Sequence, residues 1–208
     1  MVDPPQESRP INHLVMVAGL SGCGKSEFIR HMTLGGLPAD ISRCLPADIQ
    51  TWPHLDESDP ERTFRELREG IFPALPGLVM PYDLARSFWA GQKGYDWDDA
   101  VKIIGFADRV TVVNIRPPLR RLIEQHIWRR FGVTLADGQS DLKNFRSNSR
   151  GLQLLIHYEQ PGWVDLQYDV WDDLLRCASE LHEILVLGVT PESIPGGQEF
   201  RWSLKDLP

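Results

Sequence analysis

Residues 14–26 read Leu14-Val15-Met16-Val17-Ala18-Gly19-Leu20-Ser21-Gly22-Cys23-Gly24-Lys25-Ser26. Five uninterrupted apolar residues run into a glycine-rich turn. An unbroken apolar run suits a strand covered on both faces, as in a parallel sheet. Residues 19–26 then follow the pattern G-x-x-x-x-G-K-S. The glycines let the backbone curl so that successive N–H groups point inward at phosphate oxygens. A helix opening there adds the positive end of its dipole. Lys25 reaches the β and γ phosphates as a point charge. The Ser26 hydroxyl is suited to ligate a Mg²⁺ ion that bridges them. Gly19, Ser21, Gly22, Cys23, Gly24, Lys25 and Ser26 are therefore the candidate nucleotide-binding residues. The competing reading is an ordinary strand–turn–helix connection that uses glycine for its backbone freedom. Cys23 has two readings as well: a thiol activated by Lys25 and the helix terminus, or a small residue tolerated in the loop.

The same alternation continues outward from this stretch. A helix is expected over about 25–32, stopped by Gly35 and Gly36. Ile41 to Leu45 is a short second strand, with Asp48 just past its end. Ser58-Asp59-Pro60-Glu61 is a helix start, with Phe64, Leu67 and Ile71 as its apolar stripe. Gly77 to Asp83 is a third strand, and Leu84 to Trp89 a short helix. Trp97 to Phe106 is helical, and Val110 to Ile115 is a fourth strand, ended by Pro117-Pro118. A helix with Leu119, Leu122, Ile123 and Ile127 on one face follows. Leu152 to Tyr158 and Val164 to Leu181 are helical, and Ile184 to Leu187 is a fifth strand. Strands that alternate with helices imply a parallel sheet with helices on both faces. The expected architecture is an α/β three-layer sandwich with a five-stranded parallel sheet. Its ligand belongs at the carboxyl ends of the strands.

Bulk composition narrows the function. The chain has 208 residues, 42% hydrophobic and 25% charged, with a formal net charge of −7. That acidity disfavours broad contact with nucleic acid or anionic lipid, which needs a basic face. Three dispersed cysteines, Cys23, Cys44 and Cys177, form no CxxC pair and suggest neither a disulfide framework nor a metal cluster. No apolar run approaches the roughly 20 residues that span a bilayer. Residues 1–12 read as a disordered tail and 13–208 as one domain. The expectation is a soluble, cytoplasmic protein without a membrane partner.

The strand, the loop Gly19-Leu20-Ser21-Gly22-Cys23-Gly24-Lys25-Ser26 and the helix after it resemble the P-loop NTPase superfamily, over about residues 13–33. The G-x-S-G-x-G-K-S wording, the small size and the later arginines are similar to its kinase branch, including adenylylsulfate kinases and nucleoside monophosphate kinases. The resemblance implies the P-loop nucleoside triphosphate hydrolase fold, ATP as donor, Mg²⁺, and a small hydroxylated or phosphorylated acceptor. It implies that Asp83, at a strand end beside the loop, holds Mg²⁺ through water or activates the acceptor. Capping of the helix that follows is the alternative for Asp83. Asp48 and Arg86 are the candidate acceptor contacts. Arginine forks neutralise the charge that spreads over a transferring phosphoryl group. Arg116, which ends a strand on the ligand side, and Arg129 and Arg130, at the start of a polar lid-like stretch over about 129–150, are candidates for that work. Helix solvation is the alternative for some of them.

Two rival functions share the loop. The Tyr82-Asp83-Leu84 stretch with Arg86 is faintly similar to sulfotransferase-like proteins of the same superfamily, whose loop usually lacks the full GKS wording. A nucleotide-dependent switch or assembly factor is the other. The guanine-specifying Asn-Lys-x-Asp motif is absent, which weakens a GTPase switch.

Overall fold

The computed structural model of the protein describes residues 11–55, 62, 65, 66, 76–84, 97–119, 122 and 162–190. Among the described residues four strands form one sheet: β1 (Ile11–Gly19), β2 (Leu78–Asp83), β3 (Ala107–Ile115) and β4 (Glu183–Val189). Their order across the sheet is β2-β1-β3-β4, and every pairing is parallel. The described helices are α1 (Lys25–Thr33), a single turn α2 (Ala39–Ser42), α3 (Trp97–Gly105) and α4 (Trp163–Ser179). The chain is thus α/β, and β1 lies inside the sheet, as its continuous apolar run requires. From Leu14 to Gly19 every residue of it is buried.

Period-2 alternation assigns the two faces of the sheet. Tyr82, Ala18 and Asn114 stand in one registered row. Trp171 of α4 stacks on Tyr82 and donates its indole N–H to Asn114 Oδ1 at 2.8 Å. Helix α4 therefore covers that face, and α3 packs beside it. The opposite face carries His13, whose ring lies 5.5 Å from that of Trp52. Trp52 follows the 3-10 turn Ile49–Thr51, against which α1 packs. Helices thus cover both faces, in line with right-handed crossovers.

The sequence reading placed a strand at 41–45, and the structure corrects this. Pro38 stands at the N-cap of α2 and Asp40 in its first turn, so Ile41 is helical. Only Ile41 and Leu45 in that stretch could have served a strand face, and Leu45 is buried from a turn. The outer neighbour of β2 is instead an isolated parallel bridge, His54 to Val79. Leu55 donates to the Val79 carbonyl at 2.8 Å, and Val79 donates to the Pro53 carbonyl at 3.0 Å. Two prolines explain why this pairing grows no longer. In a parallel strand alternate residues bond to the same side, so Pro81 points its nitrogen outward, as Val79 does, and has no N–H to give. Pro53 lacks a donor too. The side toward β1 is unaffected, and β2 continues through Pro81 to Asp83.

His13 brings a pH dependence to this end of the sheet. Its Nε2 is 2.9 Å from Thr111 Oγ1. Burial, then the charge of Arg109, pulls the imidazole below its ordinary 6.5, while Asp48 and Glu183 pull the other way. The unfolded chain therefore binds this proton more readily than the folded one. The stability it contributes is complete above the ordinary value and is lost as pH falls through the lower, folded one. Urea midpoints should fall between about pH 7.5 and pH 5 by more in the native chain than in His13→Gln, which cannot titrate. Equal falls would remove His13 from the account.

Candidate functional site

Where β1 ends, the chain turns sharply. The Cys23 N–H bonds to the Leu20 carbonyl at 3.1 Å, closing a turn over Leu20–Cys23. Gly22 and Gly24 take φ of 82° and 106°, a region L side chains rarely enter. Gly24 caps α1 with no side-chain bond, and the first N–H groups of a helix have no partner within it. Gly19 has no room for a side chain: a Cβ there would lie 2.5 Å from Cys23 Sγ and 2.8 Å from the Ile115 carbonyl. The Cys23 thiol is buried packing against Gly19, and its N–H is engaged in the turn.

Lys25 folds back over this loop. Its Nζ donates to the Gly19 carbonyl at 2.8 Å and the Leu20 carbonyl at 3.1 Å. The same Nζ lies 3.6 Å from Asp83 Oδ2, with both side chains about one-tenth exposed. The register makes this meeting unavoidable, because Gly19 and Asp83 are partners at the ends of β1 and β2. The structure therefore brings Lys25 and Asp83 together. Ser26, next to Lys25 in the chain, stands exposed in the first turn of α1. Two hard oxygen donors, the Asp83 carboxylate and the Ser26 hydroxyl, fit a Mg²⁺ ion that keeps waters and takes phosphate oxygens for its remaining positions. No group of three or more His, Cys, Asp or Glu residues that could hold a metal ion occurs among the described residues.

Helix α4 braces the loop from the other face. The Tyr168 hydroxyl donates to the Ile115 carbonyl at 2.8 Å. Burial, then the neighbouring Cys23, pushes this phenol above its usual range, while the Leu20 backbone bonds to it in the opposite sense. Tyr168 thus touches the loop as well as β3. Gln167, its neighbour, is wholly buried, and neither atom of its amide has a hydrogen-bond partner among the described residues. Such a group costs about 1–3 kcal/mol if nothing satisfies it. Asn114, Gln167, Tyr168 and Trp171 were not singled out from sequence as site residues. The signal that could have found Gln167 is its place on the apolar stripe Trp163, Val164, Tyr168, Trp171.

The remaining candidates lie elsewhere. Arg116 follows β3 on the carboxyl side as expected, but its guanidinium pairs with Asp172 of α4 and lies 4.6 Å over the Tyr168 ring. It separates two hollows, of about 620 and 270 Å³, neither lined by the loop or Asp83. Asp48 precedes the 3-10 turn and acts on His13. His13 is six residues before Gly19, about 20 Å along the strand, so the structure does not bring Asp48 to the loop. Arg86, Arg129, Arg130 and the lid at about 129–150 lie outside the described residues, as do residues 1–10 of the tail expected at 1–12; its last two residues, Ile11 and Asn12, instead open β1, with Ile11 buried. Among the described residues no helix is long and apolar enough to cross a membrane. Compared with models of known families, with curated proteins and with solved structures, the chain finds no match.

Proposed function

We propose that the protein is a Mg²⁺-dependent phosphotransferase that binds ATP at residues 19–26 and passes its γ-phosphoryl group to a small hydroxylated or phosphorylated acceptor. The observation that carries this reading is the Lys25–Asp83 pair at the mouth of the glycine loop. A cation able to reach phosphate and a carboxylate able to hold metal or acceptor lie 3.6 Å apart at the ends of adjacent strands.

In this reading the triphosphate replaces the loop carbonyls as the partner of Lys25 Nζ. The amides at the start of α1 then receive phosphate oxygens. When bound, Mg²⁺ would be held by Ser26 and Asp83 and would offset the charge that develops in transfer. Asp83, released from Lys25, can instead orient the acceptor hydroxyl. Arg116 would have to leave Asp172 to reach the phosphates.

Two measurements decide the matter. Mg·ATP should bind the ligand-free protein, and ADP release should rise with at least one member of a panel of sugars, nucleosides and nucleotides. Binding without stimulation by any acceptor points to a switch or assembly factor. Failure to bind any triphosphate, with binding of an adenosine bisphosphate, points to the sulfotransferase-like alternative and sinks the kinase.

A further inference from the structure

Among the described residues β4 is an outer strand of the sheet, with β3 on one side and no neighbour on the other. A strand in that place presents a row of backbone N–H and C=O groups to any chain that can lie beside it, and charged side chains commonly guard it. In β4 only Glu183 is charged, while Leu185 is 48% and Val186 47% exposed. Gly188 registers with Asn114, so Ile184, Val186 and Gly188 share the face that α4 covers. There the hollow of about 620 Å³ opens between β4 and α4. Leu175, Ile184 and Val186 give it apolar walls, and the exposed Asp172, Arg176 and Ser179 of α4 border it. Gly188 lines it too, and a Cβ added there would meet nothing within 4 Å.

One segment of the chain matches this edge. After β4 come Pro191, Pro195, Gly196 and Gly197, which are turn residues. Phe200-Arg201-Trp202-Ser203-Leu204-Lys205 then alternates apolar and polar side chains at the period of a strand. A connection of that length returns the chain antiparallel to the strand it leaves. Phe200 set opposite Gly188 puts Trp202 opposite Val186 and Leu204 opposite Ile184, all three on the face of the groove. The residues between them put Ser203 opposite Leu185 and Lys205 opposite Glu183. An aromatic ring fills the space above a strand glycine, and aromatic, aliphatic and opposite-charge pairs across strands are each favourable. A shift of one residue turns the apolar side chains to the other face. A shift of two separates Lys205 from Glu183.

We propose that residues 200–205 lie antiparallel along the outer edge of β4, with Phe200, Trp202 and Leu204 filling the groove between β4 and α4. The pairing also holds the connection over 190–198 at the carboxyl end of the sheet. Arg116 is there, its N–H bonded to the Val189 carbonyl at 3.0 Å.

Cross-linking in the full chain tests the register. The exposed Cys44 and Cys177 are replaced by serine, and the buried Cys23 stays. In that background Leu185→Cys with Ser203→Cys should form a disulfide within one chain, since Cβ atoms directly opposite lie about 4.5–5.5 Å apart. It should form at least about tenfold faster than Leu185→Cys with Ser193→Cys, which is nearer in sequence and would win in an unattached tail. Equal or slower linkage overturns the proposal. A disulfide found only between two chains also overturns it and assigns the edge to a second copy. Amide exchange gives a second reading. Trp202→Ser should quicken exchange over residues 184–188 about tenfold and leave residues 14–18 as they were. Unchanged exchange over 184–188 overturns the proposal. Where both stretches quicken, the chain has loosened as a whole and the cross-link decides.

Discussion

Replacing Lys25 by alanine is expected to weaken Mg·ATP binding about a hundredfold, or about 2.7 kcal/mol. A charged donor to phosphate contributes about 1.5–3 kcal/mol, and Lys25 is the cation the loop holds nearest its own carbonyls. The native lysine must first leave Gly19, Leu20 and Asp83, so the measured loss is a difference and lies below the full strength of a lysine–phosphate contact. The same substitution leaves the largely buried Asp83 without this ammonium. The ligand-free variant should therefore also melt slightly lower than the native chain, and isothermal titration together with a thermal scan separates the two effects. Affinity unchanged within twofold would remove residues 19–26 from nucleotide binding.

Trp171→Ala should cost about 3–5 kcal/mol, the range for emptying a buried tryptophan site, and lower the melting temperature by about 10 °C. Three losses add. The ring leaves a void beside Tyr82, on which it stacks at 4.9 Å. Asn114, itself 2% exposed, loses the indole N–H. Tyr82, next to Asp83, loses its brace, so Mg·ATP affinity should drop as well. Trp171→Phe keeps an aromatic ring and removes only the donor, which predicts a loss of about 1–3 kcal/mol. Near-equal effects of the two substitutions would mean that the hydrogen bond, and not the packing, dominates.

The strands at Leu14 to Ala18, Val110 to Ile115 and Ile184 to Leu187 were legible because each is a short stretch dominated by apolar and β-branched residues, too short for an ordinary helix and bounded by turn or polar residues. The loop and its helix were legible because Gly22, Gly24 and Lys25 each have one conformational or chemical use there. What failed has a physical reason. Ile41 to Leu45 carries two large apolar residues, enough for either one strand face or one helical turn, and Pro38 decided for the turn. The bridge at His54 leaves no sequence trace, since it is one residue long and directly follows Pro53. Asp48 followed the misplaced strand and so lost its link to the loop. The partnership of Arg116 with Asp172 joins residues 56 apart, which no local pattern reveals. Asp83 was legible as a strand end, and its approach to Lys25 needed the register of β1 with β2.

Ala18 lies between Tyr82 and Asn114, under the one side chain that bridges them. Strand propensity alone would prefer valine or isoleucine there, yet extra methyl groups would press on the indole and cost about 1–3 kcal/mol. The position is thus free to drift only to glycine or serine while Trp171 stands. In diverged copies of this chain, positions 18 and 171 should change hand in hand, a larger residue in the sheet accompanied by a smaller one on the helix. Each change made singly would be costly, so the pair should move together or not at all.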